Sequence, residues 1–460
     1  MFYLGLEQKK SIFVRICTLT DSMIRYILMP MLAAMIATAF NADAQPRRVL
    51  RTQFVTYDTR EDALADKRDK TVHYRDLKFE DVNGDGTLYT FTFDADVSWS
   101  DRTSYLHLEN AGSAYTLLLN GRIIANVEDD LTPADFVISD VMDQGTNLLA
   151  VIPRKSRTPQ IQNSGKHPAQ PKFEGSFIFG QRKIHIEDFH ALILPDTAGN
   201  YGRLHLEVIV ANDFNYEEPI SVGYDITSPS GKLLDYAVRE MRVGGHSRDT
   251  LHITTPVYDA PKYAWNPDAK GDAPLYSITL YVKHNSRPEE YIPVKVGYGE
   301  TILGDDGKLV RLGRTAEIIP HRYASAATRA KTREEITALK KQGINTLITE
   351  FPQPAWFYDE CDRAGLYVFD RAAINAVENR DDRTVGGTPS NDPAMVGEYI
   401  ERVDAMYYRM RNHTSVAGFV LGGETGNGYA MYKAYQHLKA VEDKRPVICD
   451  DARGEWNTDL

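Results

Sequence analysis

The chain has 460 residues, 42% of them apolar and 25% charged, which is room for two or three globular domains and unlike a disordered chain. A formal net charge of -11 would repel nucleic-acid phosphate and anionic membrane surfaces, so neither is an expected partner and a neutral or small polar ligand is. Past residue 44 only Cys361 and Cys449 occur, too few for a disulfide framework even in an oxidising compartment, so both are expected to be packing residues.

The N-terminus has the grammar of an export signal. Arg25 precedes the apolar run Tyr26 to Phe40, and Ala42-Asp43-Ala44 offers a small-x-small cleavage site before Gln45. The run contains Pro30 and is short for a membrane span, which favours a cleaved signal over an anchor. Residues 1–44 are therefore expected to be leader and signal peptide, with a mature start near Gln45 and a periplasmic or secreted location. Met23 would open a conventional signal, so Met1 to Asp21 reads as a misassigned start.

Residues 45–172 are expected to form a β-sandwich. From Tyr89 to Pro153 short alternating runs such as Tyr89-Thr90-Phe91-Thr92-Phe93 are broken by turn residues, and Asn120-Gly121 between two apolar runs predicts a tight hairpin. A second all-β stretch, residues 173–293, contains the runs Leu204 to Ala211, Ile220 to Thr227 and Leu275 to Val282, with Ser228-Pro229-Ser230-Gly231 as a turn. Its natural reading is an immunoglobulin-like sandwich.

From residue 294 strands and helices alternate. A first strand is expected near Leu312 to Ile319, then a helix over Thr332 to Gln342 capped by Thr332 with Glu335 three residues on. Next come the strand Ile344 to Thr349, the helix Pro354 to Ala364, the strand Leu366 to Asp370 and the helix Met395 to Arg411. Val416 to Leu421, Tyr429 to Val441 and Pro446 to Cys449 complete the pattern. Such units predict a parallel (β/α) barrel of the TIM type, here incomplete at five strands, whose exposed edges would favour self-association.

Weaker signals have plain readings. Asp81-Val82-Asn83-Gly84-Asp85-Gly86 resembles the opening of a calcium loop, but its twelfth position is Thr92, so a turn into the following strand is expected. The histidines show no zinc-ligand spacing, and Trp99, Trp265 and Trp356 are expected to pack in cores rather than serve as sugar platforms.

Several motifs together resemble glycoside hydrolase family 2 β-galactosidases. In the first sandwich they are Ser113-Ala114-Tyr115 through Asn120-Gly121, Thr132-Pro133-Ala134-Asp135-Phe136, and Gly145-Thr146-Asn147-Leu148-Leu149. In the second, Tyr263-Ala264-Trp265-Asn266-Pro267 and Pro274-Leu275-Tyr276 are similar to that family's W-(S/N)-P and P-x-L-Y passages. In the third segment, Phe357 to Val368 resembles F-Y-x-x-C-D-x-x-G-L-Y-V. Arg411-Asn412-His413-Thr414-Ser415-Val416 and Leu421-Gly422-Gly423-Glu424 resemble R-N-H-P-S-V and L-G-N-E. The resemblance implies three parts: a jelly-roll-like sugar-binding sandwich (45–172), an immunoglobulin-like sandwich (173–293) and the N-terminal part of a catalytic barrel (294–460).

It also implies the chemistry. Retaining glycoside hydrolysis uses two carboxyl groups about 5 Å apart, one cycling as acid and base and one attacking the anomeric carbon. Glu424 matches the acid/base, whereas the spacing by itself favours a cap for the helix near Tyr429. The family's nucleophile follows a seventh strand, so no residue here is assigned to it. Asp450, Asp451 and Glu455 are expected to be loop residues. Lining positions differ as well. The family's D-E-A-N-I-E-T-H aligns with Asp370-Arg371-Ala372-Ala373-Ile374-Asn375-Ala376-Val377, which puts Asn375 and Val377 where the magnesium glutamate and histidine stand. Other polar groups give way to Thr315-Ala316-Glu317-Ile318 and Ile348-Thr349-Glu350-Phe351-Pro352, and Gly423 replaces the asparagine that holds the sugar's 2-hydroxyl. The expected function is hydrolysis of terminal β-linked sugars with carbohydrate as ligand, no cofactor and impaired turnover. The alternatives are a non-catalytic carbohydrate-binding protein or a fragment of a split gene.

Overall fold

A computed structural model describes residues 48–158, 161, 171–267, 271–377 and 379–460. The expected signal and its cleavage site at Ala42-Asp43-Ala44 lie outside the described residues.

The first part is two five-stranded antiparallel sheets facing one core. In chain order come β1 (Arg48–Val49), the short helix α1 (Arg60–Leu64), β2 (Tyr74–Asp76), β3 (Glu80–Asp81), β4 (Tyr89–Ala95), β5 (Arg102–Leu108) and β6 (Tyr115–Leu119). They are followed by β7 (Arg122–Val127), β8 (Ala134–Val137), β9 (Gly145–Pro153) and β10 (Phe177–Arg182). The sheet orders are β1-β8-β5-β10-β2 and β3-β4-β9-β6-β7. Leu106, Phe136 and Ile178 of one sheet meet Leu117, Leu149 and Val151 of the other, which is the burial that alternation along each strand demands. Asn120 and Gly121 join β6 to β7 with φ of 52° and 75°, the conformation that makes this dipeptide a hairpin signal. The calcium-like loop is a turn, since both Asp81 carboxylate oxygens accept backbone N–H groups, from Gly84 and Gly86 at 2.9 Å each. One boundary needs correction. β10 pairs with β5 and β2, so the first sheet pair runs to Arg182 and past the expected division at 172.

The second part follows at once with β11 (Ile184–Pro195), β12 (Gly202–Asn212), β13 (Glu218–Thr227), β14 (Leu233–Val243), β15 (Ser247–Val257), β16 (Tyr276–His284) and β17 (Arg287–Val296). A three-stranded sheet, β11-β12-β15, packs on a four-stranded one, β14-β13-β16-β17. Ile186, Val208, Tyr224, Leu280 and Ile292 are central to their shared core.

The third part begins with a small antiparallel sheet of β18 (Thr301–Leu303), β19 (Leu309–Arg311) and β20 (Arg314–Thr315). The expected strand at Leu312 to Ile319 is thus corrected: Leu312 and Gly313 are a turn of positive φ, and the first parallel strand is β21 (Pro320–Tyr323). Then come α2 (Arg329–Lys341), β22 (Thr346–Thr349), α3 (Ala355–Ala364), β23 (Tyr367–Arg371), α4 (Val396–Met410), β24 (Val416–Val420), α5 (Tyr429–Lys439) and β25 (Val447–Ile448). The five strands form one parallel sheet in chain order, open among the described residues. The α2 cap is also corrected. Thr328 is the N-cap and its hydroxyl accepts from Lys331 N–H, while Thr332 is buried one turn inside the helix. Gly365 ends α3 with a φ of 68°, and a Cβ there would meet the Asn266 carbonyl at 2.7 Å.

The motif Arg411-Asn412-His413 joins the three parts. Asn412 accepts from Ala191 N–H at 2.9 Å and donates to the Thr52 hydroxyl at 2.7 Å and the Phe189 carbonyl at 2.9 Å. Arg411 pairs with Asp188 at 2.8 Å, and His413 binds Asp362 at 2.7 Å. Trp99 and Trp265 are core residues, and the Trp265 indole donates to the Asp362 carbonyl at 2.8 Å.

Candidate active site at the carboxyl ends of the parallel strands

Parallel strands alternating with helices deliver the loops after each strand to one edge of the sheet, so groups distant in sequence converge there. Here that edge gathers Glu350 after β22, Arg371 to Asn375 from the end of β23, Leu421 to Glu424 after β24, and Asp450 and Asp451 after β25. Backbone bonds hold the loops together: Ala372 N–H donates to the Val420 carbonyl at 2.9 Å, Gly423 N–H to Ile374 at 3.1 Å, and Leu421 N–H to Ile448 at 2.8 Å. Ile161, between β9 and β10 in the chain, reaches the same edge, where its carbonyl accepts from Asn375 N–H at 2.7 Å.

Glu424 is half-buried, in the left-handed region with φ of 53°. Such a conformation costs a non-glycine residue free energy and tends to persist where surrounding structure imposes it. Its carboxylate makes no hydrogen bond or ion pair among the described residues. It does not cap α5, whose N-cap is Gly428. Tyr429 N–H is satisfied by Asn391 Oδ1 at 2.9 Å instead.

Arg371 is the residue whose role the sequence did not reveal. Its side chain is 4% exposed, with Nε donating to the Thr349 carbonyl at 3.0 Å and Nη2 to Asp450 at 2.9 Å. This draws the guanidinium across Gly423, where an added Cβ would lie 1.4 Å from Nη1 and 2.6 Å from Cζ. The small residue therefore opens no room for a sugar: the space beside Gly423 is filled by Arg371. Asparagine cannot stand at 423 with Arg371 in this position. The two departures from the family motif, Arg371 and Gly423, fit each other in volume, and that pairing was the available signal.

Beneath this layer Asp370 is fully buried. Its Oδ1 accepts from the Tyr358 hydroxyl at 2.6 Å and the Thr349 hydroxyl at 3.2 Å, while Oδ2 has no partner among the described residues. Burial pushes its carboxyl above the usual range against the pull of Arg409, and burial raises the Tyr358 phenol as well. Asn375 is buried with an Oδ1 that has no partner among the described residues, and Val377 is 36% exposed. No group of three or more His, Cys, Asp or Glu among the described residues is arranged to hold a metal ion. Asp450 and Asp451 lie in a short 3-10 turn, where Asp451 accepts from Gly426 N–H at 2.8 Å. Glu455 pairs with Arg383 at 2.9 Å.

Comparison with known proteins adds a lineage to this geometry. A family model described as "Glycosyl hydrolases family 2, TIM barrel domain" matches residues 321–459. The β-galactosidase of Streptococcus thermophilus is 24% identical over 375 residues, 78% of this chain and 35% of the relative. That of Priestia megaterium is 23% identical over 377 residues, 78% of this chain and 36% of the relative. The chain thus spans about a third of the length of these relatives. Among solved structures, a Bacteroides uniformis β-glucuronidase superposes with a TM-score of 0.65 at 15% identity, covering 79% of this chain and 46% of that one. The Amycolatopsis orientalis exo-chitosanase does so with a TM-score of 0.64 at 17% identity, covering 79% and 44%. At such identities these two structures speak to the fold.

Proposed function

This chain is a divergent member of glycoside hydrolase family 2, and from that premise we propose that it recognises a terminal β-linked sugar, a β-galactoside first, at the carboxyl edge of its parallel sheet. In this reading Glu424 donates the proton to the glycosidic oxygen and later takes one from water, as the acid/base of a retaining mechanism does. Its carboxylate has no competing partner among the described residues, which leaves it available for that exchange.

The observation that carries the rest of the reading is Arg371. A buried guanidinium anchored to Asp450 fills the space that an asparagine side chain at 423 would need, and in this reading the contact to the 2-hydroxyl is lost with it. That contact strengthens in the transition state and supplies several kcal/mol in this class of enzyme, so its loss predicts slow turnover. The same observation favours a second reading, in which carbohydrate is bound and not cleaved.

The test is hydrolysis of nitrophenyl β-galactoside by the full chain, alongside galactose binding by calorimetry. A weak rate, reduced at least about tenfold in Glu424→Gln with galactose affinity kept, supports the slow glycosidase. Galactose binding with no hydrolysis supports the second reading. Robust turnover unchanged in Glu424→Gln removes Glu424 from its assigned role, and absence of both activities overturns both readings.

A further inference from the structure

Away from the parallel sheet, between the segment 58–73 and the start of β5, lies a cleft of about 570 Å³ whose lining includes Lys70, Val72, His73, Ser98, Asp101 and Arg102. Clefts of roughly 300 to 1,000 Å³ are the usual size for small-molecule sites. It lies toward the β2 edge of the sheet, whereas the opposite edge strand, β1, carries Arg48, which reaches Glu401 of α4 at 2.7 Å. The cleft shares no lining residue with the candidate active site.

Arg102 is the residue that needs explaining. It is 7% exposed, and its one side-chain hydrogen bond among the described residues runs from Nη1 to the Gly180 carbonyl at 3.1 Å. Its Nε is buried without a partner, and no carboxylate of the described residues lies within ion-pair distance. Asp58, Asp101 and Glu290 act on it only from beyond ion-pair distance. Arg182 is paired with Glu289 at 2.8 Å, and burial together with Arg182 holds the Arg102 guanidinium below its usual range. Asp58 and Asp62 also line the cleft, Asp58 accepting from Val72 N–H at 3.2 Å and Asp62 from the Thr59 hydroxyl at 2.7 Å.

The other lining groups suit a ligand with hydroxyls. Burial lowers His73 to about 4, with Arg102 adding to the effect, so its ring is neutral at physiological pH. Nε2 lies 2.8 Å from Ser98 Oγ and Nδ1 is buried without a partner. Asp101 is exposed at the mouth, and Lys70 is exposed at the rim, 3.9 Å from Asp69. A buried cation with no carboxylate in ion-pair contact is costly, and proteins ordinarily pair it.

We propose that this cleft binds a small acidic polyol whose carboxylate or phosphate oxygens meet Arg102 and Lys70 and whose hydroxyls meet Ser98 and Asp101. The shared chemistry is an oxyanion on a hydroxylated body of monosaccharide size. Sugar acids and sugar phosphates are its two sources.

Calorimetry on the full chain with glucuronate, glucose 6-phosphate, inorganic phosphate and galactose tests this. At least one of the two acidic polyols is expected to bind about tenfold or more tighter than galactose, the stronger of the two identifying the source, with inorganic phosphate weaker than glucose 6-phosphate. Arg102→Gln should weaken that binding at least about tenfold and Lys70→Ala, at the exposed rim, several-fold, while Glu424→Gln leaves it unchanged. Without ligand, Arg102→Gln should melt no lower than wild type, because it removes an unpaired buried charge. Galactose binding as tightly as the acidic polyols, no binding of either acidic polyol, or affinity unchanged in both Arg102→Gln and Lys70→Ala would each overturn the proposal.

Discussion

Replacing Gly423 by alanine tests the fit between this residue and Arg371. Gly423 does not occupy the left-handed region, so alanine brings no backbone strain and its whole effect comes from the added methyl. That methyl would fall 1.4 Å from Arg371 Nη1, and the guanidinium must leave. Leaving breaks the bonds to the Thr349 carbonyl at 3.0 Å and to Asp450 at 2.9 Å. A hydrogen bond to a charged group is worth about 1.5 to 3 kcal/mol, and the Asp450 contact is discounted because that carboxylate is 35% exposed. The expected cost of Gly423→Ala is therefore about 2 to 4 kcal/mol. In an Arg371→Ala background the methyl enters vacated space and should cost under about 1 kcal/mol, giving a coupling of about 2 kcal/mol or more. Urea unfolding of the four proteins measures the cycle through the shift in midpoint at constant slope. Equal costs in the two backgrounds, or no cost in either, would refute the claim that Arg371 occupies the space beside Gly423.

Two further outcomes follow from the framework. His107 is buried between Asp135 at 2.6 Å and Glu109 at 2.9 Å; burial by itself lowers its pKa, but the two carboxylates outweigh it and raise it to about 9. The folded state thus holds this proton more tightly than the unfolded chain, so its stabilisation is complete below about pH 6.5 and is lost as pH rises through about 9. Urea midpoints from pH 6 to 10 should fall more steeply for wild type than for His107→Gln, and parallel curves would remove His107 as the cause. Gly365→Ala combines a φ of 68° with a contact of 2.7 Å to the Asn266 carbonyl, so it should lose about 2 kcal/mol or more by thermal or urea unfolding. A loss below about 0.5 kcal/mol would show that the α3 terminus relaxes freely.

Where the physics is local, the sequence by itself determined the outcome. Asn120-Gly121 makes its hairpin because both residues tolerate positive φ, and the alternation in Tyr89–Ala95 and the helical spacing in Ala355–Ala364 name their elements because period sets which side chains share a face. The family motifs were legible for the same reason, being short runs with their own spacing. Tertiary structure decided what depends on partners far along the chain. Residues 177–182 belong to the first sheet pair because β5 and β2 present the matching edges, and β21 begins at Pro320 because β22 aligns beside it. Arg371 reads in sequence as one altered motif position. Only the fold brings Asp450 and Thr349 to its guanidinium and lays it over Gly423, because the ends of four strands separated by whole helices converge at one sheet edge.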